Sequence, residues 1–573
     1  MGEKIVIIGG VAAGPKAACR VKRLMPDAEI TILDQDSLIS YGGCGIPYYV
    51  SGDVSDEDEL RKTSFHMTRD PHFFETAKGV HVRTNTRAIH INRHDKVVDV
   101  VDVVSGEKDS VPYDKLVIST GSQPFVLPIP GADLDGVYTI SDLHKAIAIK
   151  QSLATGQVGK AVVIGGGAIG LEMAEAFADL WGVETSVIEF MPQLLPRIID
   201  PPFAQMVKRH MEKQGVSIYT SEGAQALEGD ENGKVCRVVT PNRTIETDIV
   251  VMAAGVRARS ELAREAGLDV SPFGIVVNNR MQTSDQNIYA AGDCVESTNL
   301  ITGKKMLAPM GSIANREGRV VGDNLAGIPS IFPGVIGSFI MKAFESCIGA
   351  TGLSLESARA EGFDADAAVT APSDRAHFFP TETKMPLQLV FDRTNRKVLG
   401  VQAFGDMNDA VLARINAAAA LISKGGTIDD FSVLEMPYAP PFSTAIDALN
   451  AAANVADNIA TDRQRNVSIQ NFLSWIDDPA SQPDWLAFDI RHPNETGPFS
   501  DKFGSIWHAI PYNEIRNRYS EIPKDKTLII ICDAGTRSFE IQVFLDSMGL
   551  SDTLVLGGGF NCITRMGVEW WPK

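Results

Sequence analysis

Two segments of the chain share one design, and this repeat limits the folds available to it. Residues 4–34 read as a strand (KIVIIGG), a glycine turn, a helix of small residues (AAGPKAACRVKRL) and a second strand (EITILD). Residues 160–189 repeat the order as KAVVIGGG, AIGLEMAEAFADL and ETSVIE. Such a turn brings backbone N–H groups and a helix N-terminus together, which attracts a pyrophosphate. The repeat therefore predicts two dinucleotide sites on α/β domains.

The glycines of the second unit follow its strand with the spacing G-x-G-x-x-G and open its helix: Gly165, Gly167 and Gly170. Glu189 ends the next strand, where an acid is expected to bind the ribose 2′-hydroxyl of the nicotinamide cofactor. No arginine that would meet a 2′-phosphate follows before Arg197. The predicted cofactor of this unit is therefore NADH rather than NADPH.

The first unit departs from that spacing, because Val11 stands where the central glycine is expected. Asp34 ends its second strand, where a dinucleotide-binding unit is expected to have an acid. Two later segments, STG (119–121) and TSDQNIYAAGD (283–293), resemble parts of flavin disulfide reductases, in which the final Asp reaches the ribityl chain of FAD. FAD is therefore the predicted cofactor here, held by Gly9, Gly10, Gly14, Asp34, Thr120, Gly121 and Asp293.

The segment SYGGCGIPYYVSG (40–52) places Cys44 among glycines, near where a helix should begin. A helix N-terminus favours a thiolate, and reduced flavin can pass two electrons to a disulfide that contains such a sulfur. No second cysteine follows before Cys236, so a redox pair of neighbouring cysteines is not expected. Cys44 is the candidate redox residue; the alternative is a small buried cysteine in a glycine loop.

Three segments together resemble the coenzyme A-disulfide reductases, the single-cysteine branch of the flavin disulfide reductases: GGVAAG, CGIPYY and MPYAPPFS (436–443). The resemblance covers about residues 1–450. It implies that Cys44 alternates between a thiolate and a mixed disulfide with coenzyme A, and that the chain forms a homodimer. It also implies that Tyr438 lies near the partner's redox cysteine and that a basic helix face binds the phosphates of coenzyme A, through Arg20, Lys22 and Arg23.

The sequence departs from that family at three places. Gly43 precedes the redox cysteine where the family usually has Asn, and Ala168 stands in the second glycine turn where many members have an aromatic residue. A second tyrosine of the family is replaced by Phe378 or Phe379. These departures bear on the choice of substrate.

A separate motif lies near the C-terminus. TLIIICDAGTRS places Cys532 at the end of an apolar strand, and five residues more lead to Arg537. The backbone N–H groups of so short a loop can surround a sulfur and bind an anionic sulfur donor. FDIRHPNE and GSIWHAIP precede it and resemble signatures of rhodaneses. The resemblance implies a sulfurtransferase in which Cys532 carries sulfur as a persulfide and Arg537 helps to bind the donor.

Composition excludes several classes of function. The 53 Lys and Arg residues face 72 Asp and Glu residues, which gives a net charge of −19 and makes binding to nucleic acid improbable. No run of 18 apolar residues or signal peptide is evident, so neither a membrane span nor export is expected. Seven scattered cysteines without a CxxC pair argue against a bound metal and a disulfide framework, and favour the cytoplasm.

The predicted fold class is α/β, with two Rossmann-like domains, an α+β dimerisation domain and a C-terminal rhodanese domain. The expected boundaries are 1–118 with 250–325 for FAD, 119–249 for NADH, 326–450 for dimerisation, 451–467 for a linker and 468–573 for the rhodanese. The predicted reaction is reduction by NADH of coenzyme A disulfide, coenzyme A persulfide or polysulfide. The alternatives are an NADH oxidase or peroxidase that cycles Cys44 through a sulfenic acid, and a redox-sensing or persulfide-carrier protein.

Overall fold

Residues 2–568 are described by a computed structural model in which the chain divides into two units. The first unit comprises the residues up to Pro192 together with Gly215–Val335. The second comprises Gln193–Gln214 together with the residues from Ile336 onward. Each is described in turn.

The strands are numbered in chain order. They are β1 (Lys4–Ile8), β2 (Glu29–Leu33), β3 (His81–Arg83), β4 (Thr86–Asn92), β5 (Val97–Asp102), β6 (Lys108–Pro112), β7 (Lys115–Ile118), β8 (Ser122–Pro124), β9 (Val137–Thr139), β10 (Lys160–Ile164), β11 (Glu184–Ile188), β12 (Ser217–Tyr219), β13 (Ala226–Gly229), β14 (Val235–Val239), β15 (Thr244–Glu246), β16 (Ile249–Met252), β17 (Val256–Ala258), β18 (Val270–Ser271), β19 (Gly274–Ile275), β20 (Ile288–Ala290), β21 (Glu296–Thr298), β22 (Lys305–Leu307), β23 (Phe339–Ala343), β24 (Ser346–Gly352), β25 (Ala365–Thr370), β26 (Leu387–Asp392), β27 (Val398–Asp406), β28 (Asn466–Val467), β29 (Trp485–Asp489), β30 (Trp507–Ala509), β31 (Thr527–Ile531) and β32 (Thr553–Leu556).

The helices are numbered in the same way. They are α1 (Ala13–Leu24), α2 (Ile46–Ser51), α3 (Pro71–Phe73), α4 (Leu143–Ala154), α5 (Ala168–Ala178), α6 (Pro201–Lys213), α7 (Glu261–Glu265), α8 (Gly311–Leu325), α9 (Leu355–Ala360), α10 (Asp409–Ile422), α11 (Ile428–Ser432), α12 (Ala448–Ala460), α13 (Ile469–Asp477), α14 (Pro493–Phe503), α15 (Thr536–Ser547) and α16 (Gly559–Met566).

The first unit contains two parallel sheets, one for each predicted dinucleotide site. In the first sheet the strands run in the order β20-β7-β1-β2-β3, and β1 pairs in parallel with β2 and β7. Its central strand is apolar throughout its last four residues, and all four are buried. Such continuous burial is typical of a parallel strand covered on both faces. Helices α1 and α8 pack together in this region.

The second sheet has the order β12-β11-β10-β16-β9, and its central strand β10 pairs in parallel with β11 and β16. The expected return to the first domain at residue 250 falls inside β16, which belongs to this second sheet, so that boundary is wrong. The chain returns only after Met252, through β17, which runs antiparallel to β8. The apolar run at 249–252 alone does not reveal which of two parallel sheets it joins.

The second unit begins its main section with an antiparallel sheet of order β23-β24-β27-β26-β25. Helix α10 packs on β24 and β27, and α12 packs on β25 and β26. The predicted linker at 451–467 is therefore largely part of this domain, because α12 buries alanines and Leu449 against the sheet. The connection that follows α12 is short and ends at β28.

The C-terminal section of this unit is a parallel sheet of order β28-β32-β31-β29-β30. Strand β31 is buried over its last four residues, LIII, and lies between β29 and β32. Cys532 follows it directly at the carboxyl edge, the edge at which ligands of parallel sheets are bound.

Candidate functional site

The first glycine turn joins β1 to α1 and tolerates only glycine at two positions. Gly9 has φ +109°, and a Cβ there would lie 2.1 Å from Ser119 O. A Cβ on Gly14 would lie 2.0 Å from Gly9 O, so the helix packs directly on the turn. The turn is therefore complete although Val11 occupies the expected glycine position.

Asp34 lies beside this turn, half-buried at the end of β2. Its carboxylate accepts hydrogen bonds from Gly10 N at 2.6 Å and from Asp36 N at 2.8 Å. Burial raises the pKa of Asp34, and these backbone donors oppose the shift. A carboxylate has about four acceptor sites, so a ribose hydroxyl can still donate to it.

Thr120, Gly121 and Asp293 follow β7 and β20, which are adjacent strands of the same sheet. Thr120 Oγ1 donates to Arg259 O at 2.7 Å, and Ser122 Oγ donates to Asp293 at 3.1 Å. Burial raises the pKa of Asp293. The residues predicted to hold FAD thus share the carboxyl edge of one sheet.

The sequence reading missed a second buried acid at this edge. Glu317 on α8 accepts hydrogen bonds from Gly292 N at 2.7 Å and from Ser297 Oγ at 3.3 Å. Burial raises its pKa to about 7. It fixes the backbone next to Asp293, and only the packing of α8 brings it there.

The second glycine turn repeats this geometry between β10 and α5. Gly165 has φ +116°, and a Cβ on it would lie 2.4 Å from Ala253 O. A Cβ on Gly170 would lie 1.9 Å from Gly165 O. Gly167 instead faces open space at the helix N-terminus. Two glycines therefore serve packing, and the third leaves room for a ligand to approach the backbone.

Glu189 ends β11 and is buried. Its two oxygens accept hydrogen bonds from Gly166 N and Met191 N, each at 2.6 Å. The carboxylate therefore holds the glycine turn and the loop after β11 together. This is the position predicted for an acid that binds the ribose of NADH.

Cys44 lies in a short 3₁₀ turn, Gly43–Gly45, that leads into α2. It is exposed, and Gly43 faces open space. A Cβ built on Gly311 would lie 3.6 Å from Cys44 Sγ. Since Gly311 is the first residue of the 15-residue helix α8, the positive end of that helix dipole lies beside the sulfur. The helix N-terminus beside Cys44 is thus that of α8 and not only that of the helix that follows Cys44 in the sequence.

The predicted basic face of α1 is partly engaged in the fold. Arg20 Nε lies 2.5 Å from Asp323 Oδ1 on α8, and Lys22 Nζ donates to Ala28 O at 2.7 Å. Arg23 is exposed. Of the three predicted phosphate ligands, Arg23 is the least committed to intramolecular contacts.

The structure places Cys532 in the loop between β31 and α15. Its side chain is wholly buried, and its sulfur accepts a hydrogen bond from Gly535 N at 3.1 Å. Phe560 N donates to Cys532 O at 2.9 Å. Arg537 forms an ion pair with Asp533 inside the same loop. The arginine predicted to bind a sulfur donor therefore has a partner already.

A buried ion pair supports this loop through its contact with Phe560. Arg491 binds Asp489 through Nε at 3.0 Å and Nη2 at 2.7 Å, and its guanidinium lies 3.4 Å from the ring centre of Phe560. Trp507 Nε1 also donates to Asp489, at 3.3 Å. Loss of one partner of such a pair costs about 3–5 kcal/mol. The DxR segment therefore supports Phe560, whose backbone N–H holds the Cys532 loop.

Tyr438 is about half exposed in the second unit. Its segment meets the one that carries Phe378, because Ala376 N donates to Pro440 O at 3.2 Å. Several large apolar side chains of the antiparallel-sheet section are also exposed: Phe378, Met407, Val433, Phe442 and Ile446. Large apolar side chains that lie together on a surface mark protein contacts.

The remaining cysteines differ from these two in their surroundings. Burial raises the pKa of Cys19, raises the pKa of Cys294 and Cys347 to about 11, and raises that of Cys562 to about 12. Cys236 is only partly buried, on a strand. High pKa values keep the thiols of Cys19, Cys294, Cys347 and Cys562 protonated and unreactive.

Residues 2–568 contain neither a membrane-spanning helix nor a cluster of metal ligands. None of the helices there combines the length and apolar character needed to cross a bilayer. No group of three or more His, Cys, Asp or Glu side chains there has an arrangement that would hold a metal ion.

Two glycine turns on two parallel sheets, each next to a strand-end carboxylate, define an oxidoreductase that binds two dinucleotides. The chain belongs to the pyridine nucleotide-disulphide oxidoreductase family, whose sequence model matches residues 3–312; the model of that family's dimerisation domain matches residues 340–449. The family binds FAD and NAD(H). The turns fit both cofactors, since glycine alone fits their tight positions and Gly167 leaves the second one open.

Known proteins resemble the chain to different extents. It is 36% identical over 456 residues to the NAD(P)H coenzyme A polysulfide/persulfide reductase of Pyrococcus horikoshii, which covers 79% of this chain and 98% of that protein. It is 34% identical over 453 residues to the NADH oxidase of Methanocaldococcus jannaschii, with the same coverage. The structure of an NAD-dependent persulfide reductase from A. fulgidus matches 99% of this chain and 100% of its own, with 36% identity and a TM-score of 0.91. The last match therefore includes the C-terminal parallel sheet.

Proposed function

We propose that the protein uses NADH to reduce coenzyme A disulfide, coenzyme A persulfide or polysulfide at Cys44, and that its C-terminal domain is a rhodanese-type sulfurtransferase. One observation supports the first part most. Among seven cysteines Cys44 alone is exposed, and it lies against the N-terminus of a long helix. A sulfur so placed is accessible to a bulky thiol, and it lies at the positive end of a helix dipole.

When bound, FAD supplies the two-electron transfer between NADH and sulfur. The Cys44 thiolate attacks a coenzyme A disulfide, which forms a mixed disulfide and releases one coenzyme A thiolate. Two electrons then cleave the mixed disulfide, so that Cys44 returns to its thiolate and the second coenzyme A leaves. The end of α8 stabilises the negative charge on Cys44 in both steps.

Three other groups complete this proposal. Arg23 is exposed on α1 and binds a phosphate of coenzyme A, with Arg20 and Lys22 on the same helix. Glu189 accepts the ribose hydroxyl of NADH and repels a 2′-phosphate. In a homodimer whose interface includes the exposed apolar side chains of the antiparallel-sheet section, Tyr438 donates a proton to the departing thiolate at the partner's site.

For the C-terminal domain, we propose that Cys532 attacks the sulfane sulfur of a donor such as thiosulfate, which forms a persulfide on Cys532 and releases sulfite. A thiolate acceptor then attacks the outer sulfur of this persulfide, takes it up as its own persulfide and returns Cys532 to its thiolate. The support for this proposal is the loop itself, in which Gly535 N already donates to the sulfur and the surroundings admit only a small group. The ion pair of Arg537 with Asp533 suggests that the arginine holds the loop rather than the donor.

An NADH oxidase remains a second candidate, since one relative of 34% identity bears that name and Ala168 leaves a small side chain in the second glycine turn. A single comparison separates the two. Under anaerobic conditions the holoenzyme is expected to oxidise NADH with coenzyme A disulfide or coenzyme A persulfide as acceptor. Oxygen alone should support only slow oxidation. Fast oxidation with oxygen and none with the sulfur acceptors would reverse the assignment.

A further inference from the structure

The second unit contains a cleft of about 300 Å³ where the C-terminal domain meets the antiparallel-sheet domain. Two contacts fix α16 to the end of strand β25. Gly558 N donates to Val369 O at 2.8 Å, and Asn561 Nδ2 donates to Ala371 O at 3.0 Å. The cleft is lined by Glu382, Thr383, Lys384, Asn561, Thr564 and Arg565.

The two cationic side chains of the cleft have N–H donors that are not used in hydrogen bonds within residues 2–568. Arg565 uses only Nη2, which donates to Lys384 O and Asp406 Oδ1, both at 3.1 Å. Its Nε and Nη1 have no acceptor among residues 2–568. Lys384 Nζ donates to Ser373 Oγ at 2.9 Å and to Glu382 Oε1 at 2.6 Å, which leaves one of three N–H donors.

A third group in the cleft is a hydroxyl without a partner among residues 2–568. Thr383 Oγ1 is buried and makes no hydrogen bond to that part of the chain. The backbone around it is fixed, because Thr383 N donates to Asp374 Oδ1 at 3.0 Å and Asp374 N donates to Thr383 O at 2.9 Å. Buried polar groups are nearly always hydrogen-bonded, so a hydroxyl left without a partner at a cleft wall points to a ligand.

We propose that this cleft binds a tetrahedral oxyanion, either a sulfur oxyanion such as thiosulfate or a phosphate group carried by a thiol. The free capacity of Arg565, Lys384 and Thr383 consists mainly of donors, which suits a ligand that only accepts. The carboxylate of Glu382 is neutralised by Lys384. The volume equals that of about ten water molecules, so a group larger than one oxyanion also fits.

The position of the cleft indicates a role for the bound anion, and this role rests on the proposed sulfurtransfer. Asn561 lines the cleft, and its backbone N donates to Asp533 O in the Cys532 loop at 2.8 Å. Helix α16 therefore connects the cleft to the loop that carries Cys532. The site would dock the charged end of a sulfur donor or acceptor.

Calorimetric titration of the full-length holoenzyme tests this inference. The parent is the Cys532→Ser variant, which cannot form a persulfide, so that only noncovalent binding is measured. The probes are thiosulfate, inorganic phosphate and adenosine 3′,5′-bisphosphate at constant ionic strength. Thr383→Val removes a hydroxyl that has no protein partner, so the thermal midpoint should not fall. Thr381→Val is the control, since Thr381 is exposed on the same segment and does not line the cleft.

We expect Thr383→Val to raise the dissociation constant of one of the anions about five-fold or more, and Thr381→Val to leave the dissociation constants unchanged. The anion whose binding is affected shows whether the cleft binds a sulfur oxyanion or a phosphate group. Arg565→Gln should weaken the binding of the same anion further. Equal affinities in the parent and Thr383→Val, or no binding of any probe, would overturn the site. If binding depends on Thr383 while the wild type transfers no sulfur, the site stands and the proposed function of the domain fails.

Discussion

The two sulfur centres of the chain are built in opposite ways. Cys44 is exposed in a turn of glycines, beside the N-terminus of α8. Cys532 is wholly buried at the end of a strand, with a backbone N–H of its own loop donating to the sulfur. An exposed sulfur has room to form a disulfide with a large thiol. A buried one has room to carry a single sulfur atom. The contrast supports a division of labour between exchange at Cys44 and storage at Cys532.

The largest effect is expected from Cys44→Ser. The hydroxyl cannot form the mixed disulfide, so NADH-dependent reduction of coenzyme A disulfide should fall by about 10³-fold or more. The glycine turns remain intact, so the visible flavin spectrum should be unchanged. Steady-state rates and spectra of the variant measure both. Wild-type reduction by this variant would remove Cys44 from the mechanism.

Cys532→Ala should separate the two centres. Sulfurtransfer from thiosulfate should be lost, whereas reduction of coenzyme A disulfide should stay within about two-fold of wild type because that substrate never needs the buried sulfur. Assays of both activities on one preparation decide the point. Parallel loss of both would mean that the two sulfurs act as one obligatory relay.

Glu189→Ala tests whether the electron supply to Cys44 is specific for NADH. Loss of the ribose hydrogen bonds should reduce discrimination against NADPH by about 1–2 kcal/mol, which corresponds to about 5- to 30-fold in the ratio of kcat/KM values. Part of the decrease in kcat/KM for NADH will come from the glycine turn, since Gly166 N loses its hydrogen-bond acceptor. An unchanged ratio would place the discrimination elsewhere.

Gly311→Ala probes the space above the exposed sulfur. The added methyl would lie 3.6 Å from Cys44 Sγ, where an incoming sulfur must approach, and kcat/KM for coenzyme A disulfide should fall about ten-fold. Gly43→Ala is the matched control, because a methyl there faces open space and should leave kcat/KM within about two-fold. Equal behaviour of the two variants would mean that α8 does not define the approach to Cys44.

The smallest effect concerns Arg23. Arg23→Ala should raise KM for coenzyme A disulfide about three- to ten-fold with kcat unchanged, because one charge-assisted contact to a phosphate is lost. Sulfurtransfer from thiosulfate at Cys532 serves as the internal control and should not change. A KM equal to wild type would place the coenzyme A phosphates at another surface.

Local patterns in the sequence were sufficient for the two βαβ units and for the loop of Cys532. In each case, a strand, a turn and a helix lie within one short segment, and a residue such as Gly170 acts on a neighbour in the same turn, Gly165. The expected domain boundary at residue 250 divides the strand at 249–252, because the pairing of that strand with β10 depends on a segment far away in the chain.

Contacts between distant segments explain the rest of what the sequence did not predict. The closeness of Gly311 to Cys44 arises from the packing of α8 on α1, where a Cβ on Gly318 would lie 2.5 Å from Ala13 O. The cleft at Thr383 exists only because α16 docks on the end of β25.

The most direct test of the central claim is mass spectrometry of the intact, NADH-free holoenzyme after incubation with coenzyme A disulfide. We expect one coenzyme A per chain, mapped by peptide analysis to Cys44, and its complete release on anaerobic addition of NADH. No adduct on Cys44, or an adduct that NADH does not release, would contradict the proposal that this exposed sulfur carries the exchange.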